Sequence, residues 1–399
     1  MPTNGNTSPE FIPHFRKPGA IEWVPLLSSA SADNEELNKA EQARESLKNT
    51  LLQSLQMQHL IVLAGSGCSL HAGGPSMGDL WKAVVGEPPL SQAATAAKSS
   101  RYKLENKNIE AFLSQIGASL SIKPNMRTKS FLDNAQRTIL EKCSAFLDDK
   151  KLSTHEILLH RLSRRRTRDQ RLRIFTTNYD LCFERAAANV GCVAIDGFSF
   201  MAPRQYDPRY FDFDIIRRPH SGEDNGNYLE GVFLLYKLHG SVNWEKTDDG
   251  IVEKEKPDAQ KACLIYPASG KYQQSYNQPF IESISQYLAA IREPNTCLLI
   301  VGFGFNDDHL SEPLLSAVRS NPHLRLIIVD PNAKDNATQA DELGNRHLKE
   351  LFKLSARGED VWFINERFEQ FAERIPDLKS LTPAERLFKD IKGIAKAHE

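Results

Sequence analysis

Four short polar segments, each following an apolar run, carry residue types that can hold a phosphate-bearing ligand and act on it. Leu172-Arg173-Ile174-Phe175 leads into Thr176-Thr177-Asn178-Tyr179-Asp180, which places a carboxamide and a carboxylate two residues apart. Gly231–Leu238 leads into His239-Gly240-Ser241, and His59–Ala64 into Gly65-Ser66-Gly67-Cys68-Ser69. Cys297–Val301 leads into Gly302-Phe303-Gly304-Phe305-Asn306. Glycines let backbone N–H groups approach a pyrophosphate, and the N-terminus of a following helix favours its charge. An imidazole with an ordinary pKa near 6.5 suits base chemistry at neutral pH. A phosphate loop, an amide turn and a strand-end histidine together point to a nucleotide site with chemistry beside it.

Each segment also has a purely structural reading. Gly-Ser-Gly makes ordinary tight turns, and Asn178 or Asp180 could cap a helix that starts at Leu181. His239 could be a satisfied hydrogen-bonding residue, with Gly240 permitting close approach of backbone or ligand. Asn306 could be the N-cap of the next helix. Cys68 has no base near it in sequence and reads as a small packing residue. The run Arg161, Arg164, Arg165, Arg166, Arg168, Arg171 and Arg173 lacks interleaved aromatics and reads as a solvated face rather than a nucleic-acid grip. There is no G-x-x-x-x-G-K-[ST] loop, so the chain does not read as a nucleoside triphosphatase.

The elements that must position these residues alternate in type. Strand-length runs at His59–Ala64, Gly231–Leu238, Ala262–Tyr266, Cys297–Val301, Leu324–Val329 and Val361–Ile364 alternate with helical patterns such as Asn34 to about Gln58, Pro279–Ile291 and His309–Arg319. The pattern predicts an α/β fold: a Rossmann-like, mostly parallel sheet with helices on both faces. In such sheets ligands bind beyond the carboxyl ends of the strands. Residues 79–170 are helical in pattern and too long for one crossover, which predicts a helical insert. The division is therefore a flexible arm over 1–34, a nucleotide-binding domain over 35–365 and a helical extension over 366–399. In that extension Thr382-Pro383-Ala384-Glu385 forms a capping box.

Composition narrows the function classes. The 399 residues carry 50 basic and 51 acidic side chains, a net charge of -1 that offers no argument for a polyanionic partner. The sequence has no apolar run long enough for a membrane span and no signal-peptide pattern at its start, which predicts a cytoplasmic protein. None of the six cysteines form a C-x-x-C pair, so they read as reduced and mostly buried.

Taken in order, the segments resemble the sirtuin family of NAD-binding proteins. Gly65-Ser66-Gly67-Cys68-Ser69 resembles its Gly-Ala-Gly-x-Ser phosphate loop, Thr176–Asp180 its Thr-Gln-Asn-x-Asp turn, and Leu238-His239-Gly240 its catalytic histidine strand. Gly302–Asn306 falls where the family's Gly-Thr-Ser segment contacts the nucleotide. Two departures stand out. The stretch Val242–Lys261 has no cysteine where sirtuin deacylases carry a four-cysteine zinc module, so no zinc and no other metal is expected. Pro75-Ser76-Met77-Gly78 replaces the family's Pro-Asp-Phe-Arg. Without the zinc module, the chain is similar to the bacterial sirtuin-like effectors of antiphage defence. Among these it resembles the subunit that pairs with a HerA-like ATPase.

That resemblance implies an NAD glycohydrolase that cleaves NAD to nicotinamide and ADP-ribose, held in check by homo-oligomeric assembly or by a partner ATPase. It implies that Asn178 holds the attacking water and ribose hydroxyls, that His239 is the general base, and that Asp180 orients the turn or the ribose. Gly65, Ser66, Gly67, Ser69 and Thr177 would bind the cofactor near its pyrophosphate, and Gly302, Gly304 and Asn306 would border the adenosine half. Alternatives are an NAD or ADP-ribose sensor without turnover, a protein deacylase, and a nuclease using Asp212–Asp214.

Overall fold

In the computed structural model of the protein, residues 11–27, 33–148, 151–218, 228–266, 277–339 and 345–378 are described. The central strands are nearly continuous apolar runs, as expected when both faces of a parallel sheet are covered. They are β3 (His59–Ala64), β4 (Leu172–Thr176), β6 (Val232–Lys237), β10 (Thr296–Val301), β11 (Leu324–Val329) and β12 (Val361–Asn365), with the shorter β5 (Val193–Ile195) at one edge. They run parallel in the order β12-β11-β10-β3-β4-β6-β5. The fold is therefore α/β with a mostly parallel, Rossmann-like sheet.

Alternate residues of each strand serve opposite cores. Leu60 and Val62 of β3 pack beneath α1 (Asn34–Leu55), α6 (Ser153–Leu162) and α7 (Cys182–Val190). Ile61 and Leu63 face the helices Phe280–Ala290, Asp308–Ser320 and Arg346–Ala356. Among the described residues no helix is long and apolar enough to cross a membrane. All six cysteines are free thiols, five of them buried.

The sheet differs from the sequence expectation at its edges. Residues expected to lie in a flexible arm form β1 (His14–Arg16) and β2 (Val24–Pro25), which extend the sheet antiparallel from β12. Phe15 and Leu26 are fully buried there, and that anchors the segment. Ala262–Tyr266, expected in the parallel sheet, supplies β9 (Ala262–Leu264) to a separate antiparallel sheet. That sheet also holds β7 (Gly240–Thr247) and β8 (Gly250–Glu253). The helix Phe368–Arg374 buries Phe368 and Phe371 in the main core, and the proposed capping box at Thr382 lies outside the described residues.

The helical insert is shorter than expected. The helices α2 (Met77–Val84), α3 (Ser91–Ser100), α4 (Ile109–Ile122) and α5 (Met126–Ala145) share a core built on Trp81, Phe112 and Phe131. Residues after 150 belong to the main body, since Leu158, Leu159 and Leu162 of α6 lie in its core.

The arginine run is a set of staples, which corrects the solvated-face reading. Arg165 is buried and donates to the carbonyls of Leu55 (2.5 Å), Met57, Gln58 (3.3 Å) and Gln170 (3.3 Å). Arg161 reaches Ala372 O (2.9 Å), Arg164 pairs with Glu230 (3.2 Å), and Arg166 with Asp169 (2.6 Å). Arg173 pairs with Glu293 (2.7 Å) and Arg171 with Asp214 (3.0 Å), so one carboxylate of the stretch considered for nuclease chemistry is tied to the fold. Only Arg168 of the seven keeps a mostly exposed side chain. A guanidinium offers five donors in a fixed fork, which matches carbonyls converging where strands begin.

Strand ends are held in line. Val301, Ala64, Thr176 and Lys237 stand side by side across four neighbouring strands, so the four candidate segments leave the sheet at one level. The chain moves outward from β3 through β4 on one side and from β10 through β12 on the other. The topological switch therefore lies between β3 and β10. There the two loops touch backbone to backbone. Gly67 N donates to Gly302 O (2.9 Å), a Cβ on Gly67 would sit 2.6 Å from Gly302 Cα, and Gly302 is left-handed (φ +60°). Gly302→Ala should cost about 3 kcal/mol or more, because it adds left-handed strain to a backbone clash with Cys68 and Gly67. A urea unfolding midpoint equal to wild type would contradict this.

The His155 ring is fully buried, stacks on His71 with centroids 5.2 Å apart, and lies edge-on to Phe183 and Phe368. Burial lowers its pKa from 6.5 to about 4, and it lowers that of His71 as well. The unfolded chain therefore binds more protons between these values, so stability rises with pH across that window and is lost on acidification. Unfolding free energy should be roughly 2 kcal/mol lower at pH 5 than at pH 7.5, and His155→Phe should flatten the dependence. Equal slopes for wild type and variant in urea titrations would refute it.

Candidate active site at the strand ends

A cavity of about 610 Å³ opens at the switch point. Its floor is the glycine loop after β3 and the turn after β4, and one wall is the loop after β10. Asn106–Glu110, where the insert enters α4, also line the cavity. Gly65, Ser66, Ser69, Thr177, Asn178, Asp180, His239, Gly304 and Asn306 all line it. Gly67 and Gly302 do not. They lie in the seam under the floor, so their lack of a side chain serves the fit of one loop against the other.

The turn after β4 is braced from both sides. The Asn178 carboxamide nitrogen donates to Gly65 O (3.0 Å) and to Ser69 Oγ (2.9 Å). The Ser69 hydroxyl in turn donates to Asp180 Oδ2 (2.8 Å). The other oxygen of Asp180 accepts the N–H of Cys182 (3.0 Å), the first residue of α7, whose N-cap position is Leu181. Thr176 Oγ1 accepts Asn178 N–H (3.1 Å). Ser69 is thus the hub that links glycine loop, amide and carboxylate. The Asn178 carboxamide oxygen is left without a partner among the described residues.

On the far side the turn meets β6 and β7. Lys237 is only 3 % exposed, and its ammonium donates to the carbonyls of Asp180 and Asn178 (3.5 Å) and pairs with Glu184 (3.1 Å). The Tyr179 carbonyl accepts Val242 N–H (2.9 Å) and the Ser241 hydroxyl (3.3 Å). His239 follows directly, 2 % exposed, with its Nε2 3.4 Å from Nε2 of His309. Gly240 is left-handed (φ +84°), and a Cβ there would collide with the carbonyl of Cys263. Its closeness is therefore to backbone of β9.

Cys68 is buried beneath the floor, donates to Gly65 O (3.0 Å), and burial raises its pKa, so the packing reading fits. The N-cap of the helix Asp308–Ser320 is Asp307, not Asn306, whose side-chain oxygen instead accepts from Asn345 (3.1 Å). Ser76 caps α2 through a capping box with Asp79, while Pro75, Met77 and Gly78 line the cavity. Val242–Lys261, the stretch without cysteines, forms most of the β7–β8 hairpin.

Lys237 and His309 were not among the residues that the sequence singled out. A charged residue inside an apolar strand, two positions before His239, was the available signal for Lys237.

Among known proteins, a family model described as a SIR2-like domain matches residues 172–351, from β4 into the helix Arg346–Ala356. The match leaves out the glycine loop and the insert. No curated protein matches the chain. Among solved structures, the chain is similar to a Sir2 homologue in complex with NAD. That pair shares 13% identity over 82% of this chain and 91% of that one, with a TM-score of 0.42. It is also similar to a Sir2 homologue mutant in complex with 2′-O-acetyl ADP-ribose, at 13% identity, 85% and 99% coverage and a TM-score of 0.41. The stretch that matches the SIR2-like model carries Asn178, Asp180 and His239.

Proposed function

We propose that this protein is an NAD glycohydrolase that cleaves the bond between nicotinamide and ribose. The observation that carries the reading is the meeting of a carboxamide, a carboxylate and an imidazole in one cavity at the switch point of a parallel sheet. The SIR2-like match over the same residues and the Sir2 homologue solved with NAD support the choice of ligand.

The chemistry requires a water oxygen to bond to C1′ of the ribose. The C1′–N bond breaks, and its electron pair neutralises the pyridinium nitrogen as nicotinamide leaves. His239 takes the water's proton, a role worth typically ~10²–10⁴-fold in rate. Asn178, its nitrogen fixed by Gly65 and Ser69, offers its oxygen to the water and the ribose hydroxyls. Asp180, fixed by Ser69 and the Cys182 N–H, faces the ribose. Gly65, Ser66 and Thr177 lie toward the pyrophosphate, with Gly304 and Asn306 toward the adenosine half. This set uses no zinc or other metal. By the sequence resemblance, the reading extends to a cytoplasmic antiphage effector restrained by self-assembly or by a HerA-like ATPase.

The experiment is to incubate the full chain with NAD, alone and with a candidate ATPase, and to follow nicotinamide and ADP-ribose by chromatography. Asn178→Ala and His239→Ala should each lower kcat by about 100-fold or more while folding normally. Full activity in either variant would remove that residue from the reaction. NAD binding without product under every condition would replace the enzyme with a sensor.

A further inference from the structure

Lys237 stands on β6 in the row of strand ends, directly beside Thr176 of β4. Its aliphatic stem lies in the sheet, and its ammonium ends under the turn that carries Asn178 and Asp180. Burying an ammonium is costly unless it is paired and hydrogen-bonded. Here the compensation comes from the Glu184 carboxylate and from the main-chain oxygens of Asn178 and Asp180. Together with the Tyr179 carbonyl, which is held by Val242 and Ser241, three successive carbonyls of the turn are bound on the β6–β7 side. A trans peptide points its C=O and N–H in opposite directions. Fixing these carbonyls therefore sets the rotation of each peptide plane, and with it the directions in which the Asn178 and Asp180 side chains leave the backbone.

We infer that Lys237 is a positioning residue for the reaction proposed above: it holds the Asn178–Asp180 turn from behind and touches no substrate. The inference rests on that reading of the site. Lysine suits the task because three donors on one compact ammonium can serve two carbonyls and a carboxylate that converge from different directions. Positional errors of about 1 Å at reacting groups cost of order 10²-fold in rate, so the loss should appear in kcat more than in stability.

The test compares wild type, Lys237→Met, Lys237→Arg and Lys237→Met/Glu184→Gln in the full chain. The double variant removes the carboxylate that the single change would leave buried and unpaired. Three quantities are read: thermal midpoint, NAD affinity by calorimetry, and kcat with KM by nicotinamide release. Amide hydrogen exchange over residues 172–182 is measured alongside. The expected result is a folded double variant with faster exchange in the turn and kcat at least 10-fold down, and partial recovery in Lys237→Arg. A folded double variant with wild-type exchange, kcat and KM would overturn the inference while leaving the glycohydrolase reading intact. If wild type binds NAD without turnover, that reading fails, and affinity then decides: at least 10-fold weaker binding in the double variant supports positioning, and equal binding overturns it. If wild type does not bind NAD, both fall together.

Discussion

Everything near the cavity depends on two loops approaching closer than any side chain allows. The loop after β3 and the loop after β10 leave adjacent parallel strands at one level, where the chain reverses its direction of travel across the sheet. Gly65, Gly67 and Gly302 let them share backbone hydrogen bonds. That contact sets the height of the cavity floor. Ser69 then carries the floor's position to Asn178 and Asp180, and those two residues inherit their placement from it.

The polar turn is a compact network in which almost every donor and acceptor has a named partner. Such networks fix geometry well when fully satisfied and are costly when broken. The two sides of this one differ in kind. Ser69 and the glycine loop hold the side chains of Asn178 and Asp180, while Lys237, Ser241 and Val242 hold the main chain between them. Neither brace alone would suffice, because a fixed side chain on a rotating peptide, or the reverse, still wanders.

Much of this was legible in the sequence, and the misses share a cause. His59–Ala64 and Leu324–Val329 were read at their observed bounds because doubly covered strands give uninterrupted apolar runs. The four site segments stood out because each polar group follows such a run. β7 mixes Asn243, Glu245 and Lys246 with apolar residues, and β1 is three residues long, so neither gives a periodic signal. The glycines were read as making room for a ligand, whereas two of them make room for each other. The arginines looked like a solvated face because sequence does not show carbonyls arriving from distant segments. Lys237 stands out in sequence only as a charge inside an apolar strand, and its partners lie more than fifty positions away along the chain.

The Arg165 staple bears on the length of chain that the sheet can carry between two paired strands. Its guanidinium joins carbonyls at Leu55, Met57 and Gln58 to that of Gln170, and Gln170 N–H bonds back to Gln58 O (3.2 Å). The chain that departs at β3 and returns at β4 is thereby tied shut at its base, with the whole of α2–α5 inside the closed length. Because the entropic cost of closing a loop grows only slowly with its length, the tied bases of β3 and β4 carry a four-helix excursion at little more cost than a short one.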